Sequence, residues 1–424
     1  MENYNTYLQI LKNELRPAMG CTEPIAIAYC AAKMRDVLGD LPEEVTINVS
    51  GNIIKNVKSV KVPNTRGKFG IKAAAAIGIV AGDSSKELEV IVNVKEEDYD
   101  QLDTFLEHTP ITINPADTEH TLYIEINGKK GNDWAKVVIF DAHTHIALIE
   151  KNGEVIFKNE KKADEINFKY DKEILSIKGI VEFAEKVEIS EVCDILDLQI
   201  AYNLAIANEG IKGDYGANIG KVLLKYFPND ILTRCKALAA AGSDARMNGC
   251  QMPVVINSGS GNQGITCSVP VIWFAEHLNV SDETLYRALV VSNLCTIHIK
   301  NSIGKLSAFC GVVIAGAGCG AGIAFLEGGR YREIAHTIVN SLGIISGVVC
   351  DGAKASCAAK IASSVEAGIV GYFMFKEGKQ FVDGDGLIKK GVENTIKAIG
   401  NLAKVGMCET DKEIIQIMME NKNG

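Results

Sequence analysis

The chain has 424 residues, 47% hydrophobic and 23% charged, which suffices for a sizeable core and for two or three domains, or one large domain with an insertion. Its 44 basic and 53 acidic residues leave a formal charge of −9, which argues against nucleic acid as a partner, because phosphate recognition needs a basic footprint. The opening segment, Met1 to Leu15, is polar and lacks an apolar leader, so the expected location is cytoplasmic; there the 12 cysteines serve as core residues, nucleophiles or metal ligands, not as a disulfide framework.

In chain order, Leu8, Leu11 and Leu15 mark one face of a first helix. The turn Gly20-Cys21-Thr22-Glu23-Pro24 follows, then a helix through Val37, with Thr22 able to cap it and Pro24 suited to its first turn. Glu44 to Ser50 and Ile53 to Val62 read as a hairpin around Gly51-Asn52, and the Ala-rich run Lys72 to Val80 as a helix. The texture then changes. Leu88, Val90, Val92 and Val94 alternate as in a half-buried strand, and Asp98 to Glu107 reads as a helix. Leu122 to Ile126, Val137 to Phe140, Ile146 to Ile149 and Val155 to Phe157 read as short strands, with hairpin turns at Asn127-Gly128 and Asn152-Gly153.

From Lys172 onward the chain is helical and rich in glycine and cysteine. The expected fold class is α+β: a large glycine-rich helical catalytic domain built from residues 1–82 and 172–424, with a small α/β module, 85–170, inserted. Phe309 to Leu326 carries no charge, but it is short for a membrane span and made of Gly and Ala more than of Leu and Ile. It reads as a buried, closely packed helix, and no membrane partner is expected.

Four stretches carry chemistry. Cys21 lies beside a helix N-terminus, where the dipole favours the thiolate, so it suits a base, nucleophile or ligand; a small buried residue is the plain alternative. Cys310, in Ser307-Ala308-Phe309-Cys310, is followed about 40 residues on by Cys350-Asp351-Gly352-Ala353-Lys354-Ala355-Ser356-Cys357. This is no zinc ribbon, whose ligands come in tight pairs; it suits an iron–sulfur cluster, and equally three buried core cysteines. In Asn257 to Gly264, Ser258, Ser260, Asn262 and Gln263 alternate with glycines and make a cradle for a carboxylate, or else a solvent loop. His298 and Lys300, shortly before Cys310, are candidate proton-transfer groups. Asp141-Ala142-His143-Thr144-His145 looks like a hydrolase metal motif, but no downstream His/Asp series completes it, and it is set aside.

Arg16 to Pro24, Asn257 to Gly264, Ser307 to Cys310, and Cys350-Asp351-Gly352-Ala353 with Cys357 together resemble the L-cysteine desulfidase family, relatives of the alpha chain of bacterial iron–sulfur L-serine dehydratases. The similarity runs nearly end to end. It implies a [4Fe–4S] cluster in a non-redox role and no pyridoxal phosphate. It maps the ligands onto Cys310, Cys350 and Cys357, which frees Cys21 as a base; Cys21, Cys310 and Cys350 are the alternative trio. The implied reaction is β-elimination of sulfide from a small amino acid, L-cysteine, giving pyruvate, ammonia and hydrogen sulfide. An L-serine dehydratase with the same cluster and a non-enzymatic cluster or thiol sensor are the alternatives. A homodimer is compatible with the sequence, which does not set the oligomeric state.

Overall fold

A computed structural model describes residues 3–159, 171–304 and 307–420. The end of the expected module, 160–170, lies outside them. The chain begins with α1 (Tyr4–Glu14), β1 (Leu15–Met19) and α2 (Thr22–Leu38). Next come β2 (Glu44–Val49), α3 (Gly51–Val57), α4 (Gly70–Ala81) and α5 (Asp98–His108). Strands β3 (Ile111–Pro115), β4 (Tyr123–Lys130), β5 (Asp133–Phe140), β6 (Ile146–Lys151) and β7 (Glu154–Lys158) follow. Helices α6 (Ile177–Lys186), α7 (Cys193–Lys212), α8 (Ile219–Tyr226) and α9 (Ile231–Met247) lead to β8 (Pro253–Asn257). The rest is helical: α10 (Gly261–Leu278), α11 (Asp282–Ile303), α12 (Gly311–Leu326), α13 (Tyr331–Ile344), α14 (Cys357–Lys376), α15 (Val392–Asn401) and α16 (Cys408–Glu420). The fold is α+β with a large helical part.

Strands β2 to β7 form a six-stranded sheet in the order β3-β2-β4-β5-β6-β7. Strand β2 runs parallel to β3 and antiparallel to β4, so it sits inside the sheet. The segment before Gly82 and the expected module therefore share one sheet. Helix α2 packs on that sheet with one side and on α4 with the other, which is why its residues are buried nearly all round.

Several local expectations change. Gly51 opens a helix in place of a hairpin, with Ser50 extended just before it. Ser84–Glu89 forms a 3₁₀ turn, not a strand, and Val90 and Ile91 are both buried, which no alternating strand allows. Asn127 and Gly128 pair within β4, and the hairpin turns instead at Gly131-Asn132, between Lys130 and Asp133. Asn152-Gly153 does turn the β6–β7 hairpin, with positive φ at both residues.

In the helical part, α12 is the hub, packed by α10, α11, α13 and α14. Every residue from Val312 to Leu326 is buried. Its small residues permit close approach: a Cβ on Gly316 would lie 2.2 Å from the Ser364 carbonyl oxygen. Among the described residues no helix is long and apolar enough to cross a membrane.

Candidate active site

Cys310 and Cys350, about 40 residues apart in sequence, are joined by backbone. Cys310 N donates to Val348 O (3.0 Å) and Cys350 N to Ala308 O (2.6 Å), with Phe309 bridged to Val349. This brings the two side chains into hydrogen-bond contact. That bond draws Cys350 down to about 6 against its burial, helped by the Lys55 and Lys300 cations, while the same bond, with burial, pushes Cys310 well up. Cys357 opens α14 with its Sγ 3.7 Å from Gly352 O, and its charge is felt at Cys310. Gly352 has φ +94, and a Cβ there would lie 2.3 Å from Lys55 O, so the Cys350 loop rests directly on α3. Lys55 is buried and paired with Asp411.

The Cys21 turn reaches this place through the β1–β8 pairing, in which Leu15 faces Asn257 and Met19 faces Pro253. Cys21 caps α2 and packs with Val60 and Met247 against Cys357. Its Sγ donates to Glu23 Oε2 (3.3 Å). Burial and the Glu23 charge push this thiol well above its usual range, so the dipole effect expected from sequence is overridden. Thr22 does not cap the helix; its hydroxyl donates to Gly259 O (2.9 Å), tying the turn to the glycine loop. Glu23 also accepts from Asn56 Nδ2 (3.2 Å). Burial would raise the Glu23 carboxyl, but His143, the Cys21 hydrogen bond and Arg246 hold it below the ordinary range.

Lys300, on α11, is 8% exposed. Burial lowers it to about 8, against the opposing pull of Cys350, Cys310 and Glu23, so the amine stands among those groups. About a tenth of it is then neutral at pH 7. His298 is not brought to the thiols. Two residues away on a helix lies a different face, and its Nε2 contacts Glu393 Oε2 at 2.7 Å.

The glycine loop is a tight turn opening α10. Asn257 and Ser260 exchange backbone hydrogen bonds, with positive φ at Ser258 and Gly259. Ser258 Oγ donates to Asn257 Oδ1 (2.9 Å), and Ser260 caps α10 by accepting from Gln263 N (3.4 Å). Asn262 Oδ1 accepts from Arg246 Nη1 (3.1 Å). The Gln263 amide abuts Gly311, where a Cβ would lie 3.0 Å from it. Thus the N-termini of α2, α10, α12 and α14 converge, and their dipoles favour anions.

Glu23, Asn56, Lys55 and Arg246 were not among the residues expected at the site, and neither was the motif holding His143. A Cβ on Gly259 would lie 3.3 Å from His143 Cε1, so the β5–β6 turn reaches the glycine loop. Glu23 sat inside the quoted turn; the others had no local signal. Among the described residues no three His, Cys, Asp or Glu side chains are disposed for a single metal ion. The donor chemistry fits a cluster: thiols from three segments, Cys310, Cys350 and Cys357, with the cations Lys55, Lys300 and Lys360 acting on them.

The family model of the serine dehydratase alpha chain matches residues 85–416. Similar proteins include a UPF0597 protein of Desulfitobacterium hafniense, 59% identical over 98% of this chain and 97% of the relative. One of Lachnoclostridium phytofermentans is 50% identical over 98% of this chain and 100% of the relative. One of Finegoldia magna is 48% identical over 98% of this chain and 99% of the relative. With its thiols gathered at helix N-termini and its match over most of its length, the chain belongs to the serine dehydratase alpha-chain family.

Proposed function

We propose that the protein is an iron–sulfur-dependent, pyridoxal-phosphate-independent lyase that eliminates sulfide from L-cysteine, giving pyruvate, ammonia and hydrogen sulfide. The observation that carries this is that Cys310, Cys350 and Cys357 act on one another, and Cys310 and Cys350 on the buried Lys300, where several helix N-termini converge. The three thiolates would hold a [4Fe–4S] cluster, which supplies a Lewis-acidic iron for the leaving sulfur. Lys300 Nζ would take the α-proton as the Cα–H electron pair forms the Cα–Cβ double bond and the Cβ–S bond breaks. The Cys21 thiol, protonated and bonded to Glu23, would serve as a proton donor. The aminoacrylate product tautomerises and hydrolyses in water to pyruvate and ammonia.

The family match supports a second reading with the same residues, in which the leaving group is the hydroxide of L-serine. The test is anaerobic purification, iron and sulfide analysis, and turnover of both amino acids. Bound iron with absorption near ~400 nm and faster release of sulfide from L-cysteine than of ammonia from L-serine are expected. Stoichiometric zinc without iron would sink the cluster; faster turnover of L-serine would select the second reading.

A further inference from the structure

We propose that Arg246 binds the α-carboxylate of a free amino acid at the first turn of α10, with Gln263 taking its ammonium group; this rests on reading the pocket as an amino-acid lyase site. Arg246 ends α9 and is 2% exposed. A buried guanidinium is costly unless paired, yet among the described residues no carboxylate lies within ion-pair distance of it. Asn262 Oδ1 accepts from one arm, Nη1, at 3.1 Å, which fixes the plane of the fork. Nε is buried and meets no acceptor.

That nitrogen packs against the helix start. A Cβ on Gly261, the first residue of α10, would lie 2.2 Å from Nε and 2.7 Å from Cζ. Any larger residue there would push the fork away from the helix start. The guanidinium and the positive end of α10 thus act on one spot, and an anion that can accept two N–H groups satisfies both. The charge of Arg246 is also felt at Cys21 and Glu23, so this spot borders the reacting groups. Met247, the next residue, touches Cys21.

A second orphan lies in the same first turn of α10. Gln263 Oε1 is buried with no donor, and its amide abuts Gly311, the neighbour of Cys310. A buried acceptor beside the thiols and a buried donor beside Cys21 match the two poles of a zwitterion. Amines without a carboxylate, and amino acids with a blocked one, leave Arg246 unpaired and are excluded.

The test uses ligands that cannot be eliminated, on the full chain purified anaerobically. L-Alanine carries both poles and no leaving group; ethylamine lacks the carboxylate. Calorimetric titration should show L-alanine binding and ethylamine binding at least about tenfold weaker. R246Q should weaken L-alanine by about 10–100-fold with iron content unchanged, R246K should recover part of it, and R246Q should raise KM for L-cysteine more than it lowers kcat. Equal binding of ethylamine and L-alanine by the wild type, which needs no variant to fold, would overturn the proposal, as would R246Q that keeps wild-type affinity. Carboxylate-dependent binding without any turnover supports this site and sinks the elimination reading; turnover with carboxylate-independent binding does the reverse.

Discussion

Replacing Gly352 by alanine tests whether the Cys350 loop is held by its close approach to α3. Gly352 has φ +94, a region that costs an L-residue about 1–2 kcal/mol. The new Cβ would lie 2.3 Å from Lys55 O, against an ordinary separation of about 3.5 Å, so loop and helix must part by about 1.2 Å. Lys55 is buried and paired to Asp411, so α3 does not yield freely, and overpacking of this kind costs about 1–3 kcal/mol. The two terms sum to about 2–5 kcal/mol. Two other glycines separate them. Gly378 has φ +67 with nothing within 4 Å of its Cβ, so Gly378→Ala should show only the backbone cost. Gly347 lies just before the loop with neither strain nor contact, so Gly347→Ala should stay within about 0.5 kcal/mol of wild type. Urea unfolding gives the three values, and bound iron reports on the thiols. If Gly352→Ala is no less stable than Gly378→Ala and keeps full iron, the contact with Lys55 is not what positions Cys350.

Lys300→Met should cut elimination by about 10²–10⁴-fold while bound iron stays at the wild-type level; near-normal turnover, or a parallel loss of iron, would remove Lys300 as the base. Burial pushes the Asp244 carboxyl up to about 6 from an ordinary 3.8. The folded chain keeps this proton after the unfolded chain has lost it, so stability falls as pH rises from about 4 to about 6 and stays lower above. Between pH 4 and 7 wild type should lose about 2 kcal/mol relative to Asp244→Asn, read by urea titrations at those two pH values; a difference between the two proteins that does not change with pH would refute it.

Much of the site was legible in the chain because its parts are short and chemically marked. Gly20 to Pro24, Ser307 to Cys310 and Cys350 to Cys357 each pair a cysteine with a helix start, and the structure puts Cys21 and Cys310 at N-caps and Cys357 at the first position of α14. The glycine loop was marked in the sequence as a cradle or a solvent loop, but that Ser260 caps α10 was not foreseen, although its residue type favours the position. The strands β4 to β7 and the Asn152-Gly153 turn followed from period and turn chemistry. Leu88 to Val94 misled because an alternating pattern arises by chance in a short run, and the fold buries Val90 and Ile91 together.

The sequence by itself marked some of the candidate groups: the thiols, Lys300, and the small residues that let α12 and α14 touch. It could not say which charges meet. Cys21 looked activated by its helix, yet burial, with the Glu23 carboxylate 3.3 Å away, keeps its proton on, because loss of water around the thiol and a neighbouring negative charge together outweigh a dipole. Arg246 lies far along the chain from Cys21, and His143 sits in a motif that local spacing argued against. Both reach the pocket only because β1 pairs with β8 and because α2 lies on the sheet that carries the β5–β6 turn. Electrostatic effects depend on distance through space and on the loss of water, and both are properties of the folded chain alone.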